Sequence, residues 1–122
     1  MIRPHPAIAL ILLAACTQAP TRLDAPRVAS SLAIEPYGLH QECLVMGAGD
    51  RVEFRFLSSS PVAFNIHYRE GNAVIEPVTR DRATDEAGDF TADAARTYCL
   101  TWEAGAEGSS LDYRVRPLPL TQ

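Results

Sequence analysis

The stretch Asp50–Glu70, DRVEFRFLSSSPVAFNIHYRE, alternates apolar and polar residues on both sides of a run of serines. In its first part, Val52, Phe54 and Phe56 stand between charged residues, the period-two pattern of a strand with one buried face. After the serines the pattern repeats, with the apolar positions Val62, Phe64, Ile66 and Tyr68 alternating with Ala63, Asn65 and His67. Because SSSP is typical of a turn, the stretch predicts two strands joined by a turn.

Short segments of the same kind lie on both sides of this stretch. They are VASSLAIE and LHQECLVM before it, and the segments near 73–78, 89–93, 96–103 and 111–116 after it. The polar segment Thr79–Gly88 is predicted to be the longest loop. About eight short strands at regular spacing indicate one all-β domain, an antiparallel β-sandwich of immunoglobulin-like type. A small barrel is the alternative that the same pattern permits.

The start of the chain, MIRPHPAIALILLAAC, has the features of a secretory signal peptide. Arg3 is basic, and the nine-residue apolar run from Ala7 to Ala15 is too short to cross a bilayer as a helix. The segment Leu13-Ala14-Ala15-Cys16 resembles the lipobox of bacterial lipoproteins. That resemblance implies cleavage before Cys16 and attachment of lipid to it. An ordinary signal peptide with a chance cysteine is the alternative.

The lipobox resemblance also sets the predicted boundaries. Residues 1–15 are the signal peptide, residues 16–29 are the lipidated cysteine and a flexible tether, and residues 30–122 are the β domain. Thr17 stands where an Asp would retain many such proteins at the inner membrane. The resemblance therefore implies the outer membrane, with the domain facing the periplasm.

The net charge of the chain indicates which classes of partner it can bind. It has 11 basic residues, all Arg, against 15 acidic residues, and a net charge of −4. An acidic domain of this kind is a poor match for nucleic acid. We expect a protein partner in the cell envelope, a membrane attachment through Cys16, and no cofactor.

Two cysteines remain once Cys16 carries lipid. Cys43 and Cys99 would then stand in an oxidising compartment, where pairing in a disulfide is the expected outcome. A reactive thiol at Cys99, with a histidine as its base, and a metal ligand are the alternatives.

The order of these segments resembles the GOLD domain, the β-sandwich of eukaryotic early-secretory cargo receptors. The resemblance covers about Cys43 to Trp102 and rests on an early Cys, DRVEFRF, PVAFNIHY, AGDFTAD and the late strand YCLTW. It implies a disulfide between Cys43 and Cys99 and a non-catalytic interaction module. It also places four residues in or near the core: Phe64, Ile66, Tyr98 and Trp102. Strand alternation puts Cys99 on the face opposite Tyr98 and Trp102, so the disulfide is expected on the outer face or edge of the sheet.

The polar face of the second strand is the candidate partner surface. Asn65, His67 and Arg69 share it, opposite Phe64 and Ile66. A solvated face with a structural histidine is the simpler interpretation. A copper or zinc site using His67 and His40 is a second hypothesis, because imidazole is a common ligand of both metals.

The standard catalytic motifs do not occur in the sequence. It has no Gly-x-Ser-x-Gly, His-Glu-x-x-His or phosphate-binding loop. We therefore expect a lipid-anchored, non-enzymatic binding or adaptor module. Metal handling is the alternative, and a small envelope enzyme is the third interpretation.

Overall fold

The computed structural model describes residues 19–119, which form seven strands. The bounds are β1 Thr21–Arg22, β2 Arg27–Ile34, β3 Leu39–Met46, β4 Arg51–Glu70, β5 Ala73–Thr91, β6 Arg96–Ala104 and β7 Ser109–Leu118. Over this part of the chain there is no helix, and so none that could span a membrane. The predicted all-β class is therefore confirmed.

All seven strands belong to one sheet, and β4 is its shared member. The order is β1-β3-β6-β4-β7-β2, with β5 paired to β4 outside this path. The first part of β4, Arg51–Ser58, pairs with β7, and its second part, Val62–His67, pairs with β6. The strand β5 runs antiparallel to both parts of β4. One long hairpin therefore carries two half-sheets, β2–β7 and β1–β3–β6.

The serines between the two parts of β4 lie at the change from one half-sheet to the other. The β4–β5 register shifts between Leu57 and Val62, where β7 pairing ends and β6 pairing begins. The sheet curls here, and the inner faces of its halves contact each other. The predicted turn at SSSP is therefore wrong, because the backbone bends there but keeps strand structure. Eight short strands in a sandwich were expected, and the structure has seven strands in one curled, partly open sheet.

The core lies between the two halves and contains a cluster of aromatic rings. The Phe64 ring lies 5.0 Å from that of Phe54 and 4.9 Å from that of Phe56, centroid to centroid. Trp102 stacks on Tyr113 at 4.6 Å, joining β6 to β7. Aromatic pairs at these distances stabilise by about 0.5–1.5 kcal/mol beyond the burial of their area. Phe64, Ile66, Tyr98 and Trp102 are all fully buried, in agreement with the core predicted for them.

The predicted disulfide between Cys43 and Cys99 is present. The two residues lie directly opposite each other on β3 and β6, and their sulfurs are bonded. Tyr98 and Leu100 on either side are buried, while Cys99 is only half-buried on the outer face. The loop closed by this bond spans 56 positions, for which the chain-entropy model gives about 4 kcal/mol.

Two segments predicted to be irregular are strands. Thr79–Gly88 is not a loop but the middle of β5, opposite β4. Its polar residues resemble a loop because β5 is paired on one side only, and charged residues are typical of such edge strands.

The predicted tether 16–29 contains β1 and the start of β2. Arg27 is held there by the Glu42 carboxylate at 2.9 Å and the Cys43 carbonyl at 3.2 Å. Residues 1–18, which include the predicted signal peptide and Cys16, lie outside the described part of the chain.

Gly88 is predicted to be essential for the packing of Phe54. A Cβ at Gly88 would come 2.7 Å from Cζ of the Phe54 ring, which covers the glycine from the opposite strand. We expect Gly88→Ala to lower the free energy of unfolding by about 1–3 kcal/mol, measured by urea denaturation.

Gly105→Ala is the matched control, since a Cβ there meets nothing within 4 Å and the residue does not have a positive φ. It should change the unfolding free energy by no more than about 0.5 kcal/mol. Equal effects of the two substitutions would contradict this account of Gly88.

Candidate functional site

The predicted partner surface lies on the outer face of the half-sheet β1–β3–β6, on the second part of β4. His67 is directly opposite Cys99, and Asn65 is directly opposite Thr101, so the histidine borders the disulfide. Phe64 and Ile66 point into the core, as the alternation predicted. The structure therefore places Asn65 and His67 together on one face.

Hydrogen bonding orients the His67 ring. Its Nδ1 lies 2.7 Å from the Asn65 amide oxygen and 3.5 Å from the Thr101 hydroxyl. Because the Asn65 oxygen can only accept, the neutral ring carries its proton on Nδ1. Nε2 is then the nitrogen that can accept a hydrogen bond from a partner.

The charge around His67 is mixed. Burial is the main cause that lowers its pKa; nearby Glu76 acts to raise it and Arg69 to lower it. A groove of about 440 Å³ runs beside it between β3, β4 and β6. Along this groove the Arg96 guanidinium lies 4.2 Å above the Tyr68 ring centroid. This surface can form hydrogen bonds but has no strong preference for one sign of charge.

His40 lies on the opposite face of the sheet. Its ring lies beside the stacked pair of Trp102, at 5.9 Å, and Tyr113, at 5.5 Å. Its Nε2 lies 3.1 Å from the Tyr113 hydroxyl, which donates to the Glu42 carboxylate at 2.5 Å. Burial is the main cause that lowers the pKa of His40, and Glu42 acts to raise it. His40 is therefore part of a polar chain that connects β3 to β7 inside the fold.

This position overturns the predicted metal site. His40 faces inward and His67 outward, with the sheet between them, so the two rings cannot bind one ion. Among residues 19–119 there is also no group of three or more His, Cys, Asp or Glu placed to hold a metal. Cys43 and Cys99 are consumed by the disulfide.

A larger concave surface lies at one end of the curled sheet. We call it the rim groove; its volume is about 600 Å³. It is lined by Tyr37, the bend of β4 at 60–63, Asp81 and Arg82 of β5, and the segment 103–108, which comprises the end of β6 and the turn before β7. Residues from separate parts of the chain line it, which is why no single segment of sequence indicates it.

Tyr37 is the most prominent residue of the rim groove. Its side chain is 73% exposed, and its φ of 57° lies in the left-handed region that a bulky residue rarely adopts. Its N–H donates to the Gly105 carbonyl at 3.0 Å, tying the β2–β3 turn to the β6–β7 turn. The turn EPYG, with an aromatic residue where polar ones are usual, was the available sequence signal.

Serine side chains hold the groove's other wall in place. The Ser60 N–H donates to the Ser109 hydroxyl at 3.2 Å, which donates back to the Ser60 carbonyl at 3.0 Å. The Ser110 N–H donates to the Ser59 hydroxyl at 2.8 Å. The serines that bend β4 therefore also attach the β6–β7 turn, and the groove has a hydrogen-bonded frame.

Comparison with solved structures shows where this fold occurs. A crystal structure of Aeromonas hydrophila PliG, a periplasmic lysozyme inhibitor of g-type lysozyme, matches with a TM-score of 0.56 and 14% identity. The match covers 81% of this chain and 96% of that one. The Yersinia pseudotuberculosis-derived mitogen matches with a TM-score of 0.54 and 10% identity, over 80% and 90% of the two chains. No protein-family model and no curated protein matches the sequence. The likeness shows the fold alone.

The lowered pKa of His67 predicts a pH effect that can be measured at this one residue. The folded-state pKa lies below 6.5, so the neutral ring is favoured by folding. The neutral His67 ring makes its full contribution to the free energy of unfolding above pH 6.5. That contribution is lost as the pH falls through 6.5 toward the folded-state pKa, because the unfolded chain takes up the proton first. In an NMR titration of the imidazole we expect a midpoint below 6.5.

Two substitutions give opposite shifts of that midpoint. Arg69→Gln should raise it, because it removes a repelling cation, and Glu76→Gln should lower it further. A midpoint at or above 6.5 in the unmodified protein would contradict the assignment of His67 to a partly desolvated site.

Proposed function

We propose that this protein is a lipid-anchored, non-catalytic binding module of the cell envelope, and that it binds a protein partner at the rim groove. The observation that carries the proposal is the exposed ring of Tyr37 at the edge of a concave surface of about 600 Å³. In this proposal the rim groove, and not the face of Asn65, His67 and Arg69, is the main contact with the partner. That face remains a secondary binding surface.

The backbone conformation of Tyr37 costs free energy. A non-glycine residue at positive φ costs of order 1 kcal/mol or more, and such strain concentrates at functional sites. An exposed tyrosine on a hydrogen-bonded frame presents a large contact area with little side-chain entropy to lose. Tyrosine is one of the residue types enriched at the energetic centres of protein interfaces.

The structural neighbours support a binding role by analogy of fold. One is a periplasmic inhibitor that acts on a g-type lysozyme, and the other is a mitogen. We infer that this chain, too, acts by binding a protein, and a g-type lysozyme is the first purified partner to test. The GOLD-domain resemblance stays a prediction.

Lipid attachment would hold the domain close to the membrane. In the proposal Cys16 is the lipidated residue and the outer membrane is the site of attachment. The first described strand begins at Thr21, five residues later. Five extended residues span at most about 18 Å. The tether between Cys16 and the first strand would therefore be much shorter than the tether 16–29 predicted from the sequence.

Cys16→Ser tests the anchor. We expect the unmodified protein to incorporate a labelled fatty acid and to sediment with outer-membrane fractions when expressed with its full leader. The Cys16→Ser protein should lose the label and the membrane association, because serine provides no thiol for the lipid. Retention of the variant in the membrane fraction would contradict lipid anchoring while leaving the binding proposal intact.

Tyr37→Ala tests the binding surface. With a photo-crosslinking residue placed at Ala106, next to Tyr37 in the groove, we expect one dominant crosslinked envelope protein, identified by mass spectrometry. Tyr37→Ala should weaken capture at least tenfold, since an interface tyrosine at an energetic centre contributes about 2 kcal/mol or more.

Leu39→Ala is the matched control, because Leu39 is also exposed, on the next strand, and lies outside the groove. It should leave the crosslink unchanged. The same three proteins are then titrated against purified g-type lysozyme in a lysis assay, where inhibition by the unmodified chain and by Leu39→Ala alone would identify the partner class. A crosslink that survives Tyr37→Ala would rule out the rim groove as the contact.

A further inference from the structure

A second surface lies on the outer face of the half-sheet β2–β7, on the first part of β4. Arg55 of β4 and Arg114 of β7 are directly opposite each other, and both are exposed. Side chains that oppose each other across two antiparallel strands have their Cβ atoms about 5 Å apart, and like charges at that distance are destabilising. The Arg55–Arg114 pair is therefore an unfavourable arrangement of like charges.

The neighbouring arginines on this face do have carboxylate partners. Arg116 binds Glu53 at 2.7 Å, and Arg51 lies 3.6 Å from Asp89. Neither Arg55 nor Arg114 makes an ion pair within residues 19–119. Asp112, the preceding residue on this face of β7, already accepts a hydrogen bond from the Ser31 N–H at 2.5 Å. Two guanidinium groups without a direct ion pair thus stand side by side, although Arg114 interacts with the Glu53 charge at longer range.

Exposed apolar side chains flank the pair. Val28, directly opposite Arg114 on β2, is 64% exposed, and Leu57, two residues after Arg55, is 45% exposed. Together with the arginines they border a shallow depression of about 230 Å³. We call Val28, Arg55, Leu57 and Arg114 the arginine patch. It shares no lining residue with the rim groove.

We infer that the arginine patch binds an acidic segment of a protein partner, with a carboxylate between Arg55 and Arg114 and apolar side chains against Val28 and Leu57. A carboxylate in that position would replace the repulsion of two cations with charge-assisted hydrogen bonds to both. Arginine with adjacent apolar residues is the composition found at the centres of protein interfaces.

An anionic lipid surface is the other source of negative charge, and the overall charge argues against it. The chain has a net charge of −4, so an extended anionic surface repels the domain as a whole. A single acidic segment experiences mainly the local field of the two arginines, because other charges are screened beyond about 10 Å. The patch therefore fits a peptide segment better than a membrane.

The test compares two double variants with the same change of net charge. Arg55→Gln/Arg114→Gln removes the patch, and Arg22→Gln/Arg80→Gln removes two other exposed arginines that line neither the rim groove nor the patch. The probe is a fluorescein-labelled seven-residue peptide of glutamate, leucine and glycine, followed by fluorescence anisotropy. We expect the patch variant to bind it at least tenfold more weakly than the unmodified protein, and the control variant to differ by less than twofold.

A second measurement separates loss of binding from loss of structure. Because the pair is repulsive, the patch variant should unfold at a temperature about 1–4 °C higher than the unmodified protein. A lower unfolding temperature would overturn the inference, since the pair would then be part of the stabilising surface. Absence of peptide binding by the unmodified protein, or equal loss in both variants, would overturn it as well. Binding to phosphatidylglycerol vesicles without binding to the peptide would show that the patch binds lipid. That result would overturn the inference of a protein partner.

Discussion

The structure depends on the double pairing of one strand. The twenty residues of β4 form hydrogen bonds with β7 over their first part and with β6 over their second, while β5 follows the other edge. Because β6 and β7 take successive parts of the same edge, the sheet must bend between them. That bend brings the two inner faces together and buries Phe54, Phe56 and Phe64 against Trp102 and Tyr113.

Polar interactions then hold the two halves at a defined separation. Arg27 of β2 and Tyr113 of β7 both bind the carboxylate of Glu42 on β3, and His40 contacts the same tyrosine hydroxyl. The resulting chain crosses from one half-sheet to the other beside the aromatic core. Burial together with the bond to Glu42 raises the pKa of Tyr113, so this hydroxyl stays protonated and remains a donor. Hydrogen-bonded networks of this kind can add to the specificity of a fold.

The surfaces available to partners follow from the same bend. The serines at the bend of β4 bind the first residues of β7, and the groove that contains Tyr37 opens at that point. On its first part, β4 carries Arg55, which lies opposite Arg114 of β7 on the outer face. On its second part, β4 carries Asn65 and His67, which lie on the opposite side of the molecule. One strand therefore contributes to all three surfaces.

The sequence by itself determined the strand faces, since period-two alternation depends only on neighbouring residues. It predicted the all-β class, the buried Phe64, Ile66, Tyr98 and Trp102, the outward Asn65 and His67, and the pairing of Cys43 with Cys99. Only the tertiary structure decided which strands pair and in what register. For that reason only the structure showed that the serine run bends a continuous strand and that the polar segment 79–88 is an edge strand. It also showed that His40 and His67 lie on opposite faces of the sheet. The direct opposition of Arg55 and Arg114 is likewise a result of strand pairing. Each of these depends on contacts between residues far apart in the chain, and strand pairing is not encoded in the local pattern of any one segment.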